Sequence, residues 1–186
     1  MSLDAATIYQ IIKGCKANQP SAQKQLVVGF APLLLSVARR FCPDRPTAED
    51  VLQESFILIF KHIQQFDAEL SGIQTWMKKI VINTSLKYYR QKHVRLEIST
   101  ENILEEQLVL PEIFERLHFE EILKCIQKLP VGYKEVFNLY VFDDYSHDEI
   151  AVLLGITASA SRSQLSRARK ILKEQVQTLT NELERI

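Results

Sequence analysis

Arg162, Ser163, Ser166, Arg167 and Lys170 follow one another at spacings of one and three residues, which places their side chains on one face of an α-helix. Their chemistry is recognition rather than bond-making. Arg offers a planar fork of donors that fits a guanine edge, Ser donates to or accepts from any base, and Lys pairs with phosphate. Leu165, Ala168 and Leu172 recur at three and four residues and give the same helix an apolar back. A helix of this width fits the major groove of DNA. The alternative is a helical hairpin whose basic face is merely solvated.

The elements that would hold this helix are legible just upstream. Ser146 and Glu149 have the spacing of a capping box, which starts a helix. Ile150, Ala151, Leu153 and Leu154 give that helix an apolar face. Gly155 permits the left-handed backbone that ends it, and Thr157 caps the next one. Residues 146–173 therefore predict a helix-turn-helix.

A second constellation lies in TWMKKIVINTSLKYYRQKH from Thr75. Met77, Ile80, Val81, Thr84 and Tyr88 share one helical face; Lys79, Asn83, Lys87 and Arg90 share another. A cationic stripe tracks phosphates without reading sequence, and an amide can read a base edge. The loop Phe66 to Gly72 precedes the stripe and could hold an unstacked base. The competing reading is an ordinary amphipathic helix with a solvated lysine face.

Composition sets the class. With 46% hydrophobic residues, only 5 Gly and 6 Pro among 186, and few alternating β-branched runs, the chain reads as all-α. No apolar run is long enough to span a membrane, and MSLDAATIYQ lacks the pattern of a secretion signal, so a cytoplasmic protein is expected. Cys15, Cys42 and Cys125 are far apart and odd in number, which favours buried free thiols over disulfides or zinc. The histidines show no metal spacing, and no phosphate-binding glycine loop or nucleophile elbow occurs. Neither an enzyme nor a metal or other cofactor is expected.

The formal net charge of zero hides an uneven distribution. Residues 1–95 carry 13 Lys and Arg against 7 Asp and Glu, residues 96–118 carry 1 against 6, and residues 119–186 carry 9 against 10. A basic front, an acidic middle and a mixed back predict two modules and a linker. Helices are expected over 5–17, 20–41, from Thr47 to about Gln65, 73–93, 113–129 and 131–142, before the helix-turn-helix. Asp50 would fall in the first turn of the third.

In this order, AEDVLQESFILIFKHI, a loop, TWMKKIVINTSLKYYR, an acidic linker, LPVGYKEVFNLYVFDDYSHDEIAVLLGI and SRSQLSRAR resemble the sigma-70 family of bacterial transcription initiation factors, in its extracytoplasmic-function (ECF) subgroup. The resemblance covers about residues 8–175. It implies two small helical domains: region 2 at 8–95, an acidic linker at 96–112, and region 4 at 113–175. It implies that Asp50, Gln53, Glu54 and Phe56 dock on core RNA polymerase. It further implies that the loop with Phe66, Asp67, Ala68 and Glu69 captures a base of the promoter −10 element beside Lys79, Asn83, Lys87 and Arg90. Trp76 matches a family tryptophan and is given a packing role. Thr157, Ser159, Arg162, Ser163, Ser166, Arg167 and Lys170 would contact the −35 element. The chain departs from the family's commonest pattern at Ala160 and Ser161, where Thr-Val is usual, and at Gln164, where Arg is usual. Ser161 is expected to weaken the apolar contact behind the recognition helix. The implied partners are core RNA polymerase, promoter DNA and an anti-sigma factor. The acidic linker, with Glu101, Glu105, Glu106 and Glu112, is either a nucleic-acid mimic or a solvated tether. A stand-alone helix-turn-helix regulator is the other reading of the C-terminal half; it leaves the stripe and the loop unexplained.

Overall fold

The structure is a computed structural model that describes residues 4–92 and 119–183. The chain divides into two compact units, Met1–Val94 and Arg95–Ile186. All regular elements among the described residues are helical, as the scarcity of alternating runs and of glycine predicts. The acidic segment at 96–112, with Glu101, Glu105, Glu106 and Glu112, and the start of the helix expected from Ile113 lie outside the described residues.

The first unit holds α1 (Ala5–Lys16), α2 (Pro20–Phe41), α3 (Arg45–His62), a short 3-10 turn (Ile63–Gln65) and α4 (Ile73–Lys92). Asp4 caps α1 by accepting from the Thr7 amide at 2.7 Å, and these hydrogen bonds hold its exposed carboxyl below the usual carboxylate range. Pro32 sits inside α2 without ending it. The missing N–H leaves the carbonyl one turn back without its usual partner, and that residue, Val28, is 68% exposed, so water can serve. The helix α3 starts at Arg45, two residues earlier than expected, because Asp44 is the cap: its carboxylate accepts from the Thr47 amide at 2.8 Å. Asp50 therefore lies beyond the first turn, and its contribution is not to the helix dipole there.

Leu26, Phe30, Leu34 and Val37 of α2 meet Val51, Phe56 and Ile59 of α3 and Met77, Val81 and Ile82 of α4 in one core. Each such side chain contributes about 1.5–3 kcal/mol by leaving water. The helix α4 packs against both α2 and α3, so it buries Ile82, Ser85 and Leu86 as well as Met77, Val81 and Thr84 of the expected face, while Ile80 and Tyr88 are only half-buried. What remains exposed on it is correspondingly narrow.

Helix α1 joins this core through a close approach. A Cβ on Gly14 would come within 2.5 Å of Ala22 Cβ. We expect Gly14→Ala to destabilise the first unit by about 1–3 kcal/mol through overpacking, although alanine is the better helix former. A denaturant midpoint that stays put or rises would show that α1 can move aside.

The second unit holds α5 (Phe119–Gln127), α6 (Val131–Val141), α7 (His147–Leu154) and α8 (Ala158–Leu183). Its core joins Leu123, Ile126, Val136, Phe137, Leu139, Ile150, Leu154, Leu165, Ala168, Leu172 and Val176. Cys15, Cys42 and Cys125 are buried thiols outside any disulfide, and burial pushes the Cys15 and Cys125 thiols up, which makes them poor nucleophiles.

Candidate nucleic-acid interface

The α7–α8 corner is built as its sequence requires. Ser146 Oγ accepts from the Glu149 amide, and the Glu149 carboxylate accepts from the Ser146 amide at 2.8 Å, so both arms of the capping box are closed. Gly155 ends α7 at φ 65°, a conformation that strains any residue with a Cβ. Thr157 Oγ1 accepts from the Ala160 amide at 3.0 Å and caps α8; its hydroxyl hydrogen remains to donate. With Leu165, Ala168 and Leu172 buried, α8 turns Ser159, Arg162 and Lys170 to solvent, with Ser163 and Ser166 half-buried between them. Arg167 is also half-buried, and its Nη1 donates to the Tyr133 hydroxyl at 3.3 Å. It is therefore tied to α6 rather than freely presented.

Two departures from the commonest pattern have structural answers. Ser161 is fully buried, and its hydroxyl lies 2.8 Å from His147 Nδ1. The His147 ring in turn stacks on Tyr140, with centroids 4.5 Å apart. A polar pair thus joins α7 to α8 where an apolar contact was expected to be weakened. The Gln164 side chain lies along Gly132 at the start of α6, its Oε1 3.2 Å from where a Cβ would stand, so it is not turned outward as a phosphate partner.

In the first unit, Lys79, Asn83 and Lys87 are all exposed along α4. The Arg90 side chain lies outside the described residues. Asn83 and Lys87 line an open groove of about 230 Å³ whose other wall is Glu54, Leu58 and His62 of α3. The amide-and-cation stripe and one end of the candidate docking helix therefore share one concavity. On α3, Asp50, Gln53 and Glu54 are exposed. Phe56 is 8% exposed and stacks near the half-buried Phe60, so it supports that face from beneath. The exposed apolar residue on α3 is its neighbour Ile57, 67% exposed, which is not among the docking residues expected from the sequence.

The loop between the 3-10 turn and α4 is ordered by its ends. Phe66 is 5% exposed and packs its ring against Trp76, with centroids 5.5 Å apart; it anchors the loop rather than lining its open side. Asp67 Oδ1 accepts from the Glu69 amide at 2.9 Å, an Asx turn. Asp67, Ala68, Glu69 and Leu70 stand exposed above it.

Comparison with known proteins agrees with these two units. A family model described as Sigma-70 region 2 matches residues 26–94, and one described as Sigma-70, region 4 matches residues 119–172. The chain is 25% identical over 185 residues to the ECF RNA polymerase sigma-E factor of Salmonella typhimurium, covering 91% of this chain and 94% of that protein. It is 24% identical over 193 residues to the RNA polymerase sigma-H factor of Pseudomonas aeruginosa, covering 93% and 95%. Two solved structures share the fold. CnrH, in complex with the cytosolic domain of CnrY, gives a TM-score of 0.54 at 22% identity over 92% of this chain and 98% of that one. The sigma factor RpoE from Bartonella quintana, in complex with the anti-sigma factor NepR, gives 0.55 at 21% identity over 83% and 96%.

Proposed function

The chain belongs to the sigma-70 family of bacterial transcription initiation factors, in its ECF subgroup, and we propose that its two units divide promoter reading between them. The protein binds core RNA polymerase and directs it to promoters. The first unit reads the −10 element through Asp67, Ala68 and Glu69 of the loop and through Lys79, Asn83, Lys87 and Arg90 of α4. The second reads the −35 element through Thr157, Ser159, Arg162, Ser163, Ser166, Arg167 and Lys170. Asp50, Gln53, Glu54 and Ile57 dock on the polymerase, with Phe56 packed behind them. The observation that carries this reading is the order of the matches: region 2 falls on the unit with the exposed amide-and-cation stripe, and region 4 on the unit with the exposed arginine face.

Magnitudes decide how the work is shared. Opening roughly a dozen base pairs costs on the order of 15 kcal/mol at about 1.4 kcal/mol per step. Capturing a flipped base on such a protein returns only about 1–3 kcal/mol. The units therefore select a site and nucleate an opening that the polymerase completes. The same arithmetic requires an ordered loop. Fixing its backbone on binding would cost about 1–2 kcal/mol per residue, more than one captured base returns. The buried Phe66 and the Asp67 turn meet that cost during folding.

The test is run-off transcription with purified core polymerase on a promoter library. New start sites that share −10 and −35 sequences are expected, and their absence rejects the reading. A tight gel shift by the chain alone would favour a stand-alone regulator. Within this assay Asn83→Ala should change the preference at a −10 position by about 1–3 kcal/mol and leave −35 preference intact; a change confined to the −35 element would overturn the placement of α4. An anti-sigma factor belongs among the proposed partners, because CnrH and the Bartonella factor were each solved with such a binding partner or a partner's cytosolic domain.

A further inference from the structure

Lys16, the last residue of α1, lies outside the residues matched by the region 2 model, which begins at Leu26. Its ammonium donates to the Phe66 carbonyl at 2.9 Å, at the mouth of the −10 loop. Its own carbonyl accepts from the Gln64 side-chain amide. The two bonds are reciprocal and span about fifty residues of sequence. Each closes a backbone group with no partner of its own. A helix leaves its last four carbonyls open, and Lys16 supplies one of them; Phe66 begins the loop, where its carbonyl has left the helical ladder. Asn18, at φ 55°, turns the chain sharply after α1, and the Gln19 amide returns to the Gly14 carbonyl at 2.9 Å, so the end of α1 is itself fixed in place. The close approach at Gly14 sets α1 on α2, and α1 packs against the 3-10 turn.

We propose that Lys16 is a positioning residue for −10 recognition: with Gln64 it forms a latch that sets the height and direction in which Asp67, Ala68 and Glu69 leave the buried Phe66. This inference rests on the loop being the −10 reader. The latch acts through backbone carbonyls and an amide, so it holds the loop's shape without consuming any side chain that faces DNA. Buried Phe66 fixes the loop's side-chain anchor, and Lys16 fixes the peptide plane beside it. A loop held at one point can pivot; held at two it presents its exposed residues in one orientation. Preorganisation of this kind raises discrimination because wrong bases can no longer be met by adjustment of the loop.

The experiment uses the full chain with core RNA polymerase on promoters that vary one −10 or −35 position at a time. Lys16→Met keeps the aliphatic stem and removes the donor; Lys16→Arg keeps a donor; Gln64→Ala, at an exposed position, removes the reciprocal bond and is not expected to impair folding. Lys16→Met should lower discrimination at −10 positions by about tenfold, the scale of one hydrogen bond to a charged group, and Gln64→Ala should lower it at the same positions by about fivefold, the scale of a neutral one. Discrimination at −35 positions and affinity for core polymerase should not move, and Lys16→Arg should restore most of the loss. Full −10 discrimination in both Lys16→Met and Gln64→Ala overturns the latch. A loss that is uniform across −10 sequences and steepens with salt also overturns it, since Lys16 would then contact phosphate directly. Glu69→Ala separates the two levels of inference. If it alters −10 preference while the latch variants do not, the latch fails and the loop reading stands; if none of them alters it, the loop reading itself fails.

Discussion

Ile57→Glu is expected to weaken binding to core RNA polymerase by thirtyfold or more, about 2 kcal/mol or above, while leaving the first unit folded. Ile57 is 67% exposed, so the folded unit loses little when it becomes charged. In a docked complex the isoleucine would leave water, a gain of about 1.5–3 kcal/mol, and a carboxylate in its place would have to be desolvated without a partner. Asp50, Gln53 and Glu54 lie on the same side of α3, seven, four and three residues earlier, and in the proposed complex they would form the polar rim that such an apolar anchor needs. The comparison variant is Phe56→Ala. Phe56 is 8% exposed, and its truncation should cost about 3–5 kcal/mol of stability, so any loss of polymerase binding there would come from unfolding. Titration of each variant against core polymerase, beside its thermal midpoint, separates the two. Ile57→Glu with unchanged affinity would remove α3 from the docking face.

The contrast between Phe56 and Ile57 shows where sequence reading ran out. Helical periodicity is enough to find α3, because burial at Val51, Ser55, Ile59 and Ile63 follows a repeat of about 3.6 residues. In FILIF, however, every residue is apolar, and nothing in the pattern marks which of them a partner would touch; packing against α2 and α4 leaves Ile57 outside. The α7–α8 corner was legible in detail because its signals are local: a cap, a left-handed glycine and a second cap within about a dozen residues. Contacts over long separations left no such mark. Lys16 to Phe66, Arg167 to Tyr133, and the seat of Gln164 on Gly132 join residues whose types are ordinary where they stand in sequence. Ser161 is the instructive case. Read alone it is a polar residue at an apolar position; folded, it meets His147, and a buried hydroxyl with a partner costs far less than one without.

Arg162→Ala should cost about 1–3 kcal/mol of −35 discrimination at one or two adjacent base pairs. Among the basic residues of the α8 face, Arg162 stands exposed near the N-terminal end of the helix, the end that approaches base edges when such a helix enters the major groove. Lys170 lies about two turns further along and is also exposed; a lysine there is placed for phosphate, and Lys170→Ala should weaken all −35 sequences alike and reduce the salt dependence by about one counterion. Arg167 stands between these cases. Tyr133 holds one of its nitrogens, so Tyr133→Phe should alter the contribution of Arg167 while leaving that of Arg162 in place. Transcription from a −35 library at two salt concentrations resolves the three. If Arg162→Ala reduced every promoter equally, its guanidinium would be a backbone contact, and base reading on α8 would have to rest on Arg167, which Tyr133 holds, and on Ser159, Ser163 and Ser166. Serine pairs with any base, so those three would add little selection. On the proposed reading, an exposed arginine able to reach a guanine edge is what would let this short face choose among promoters.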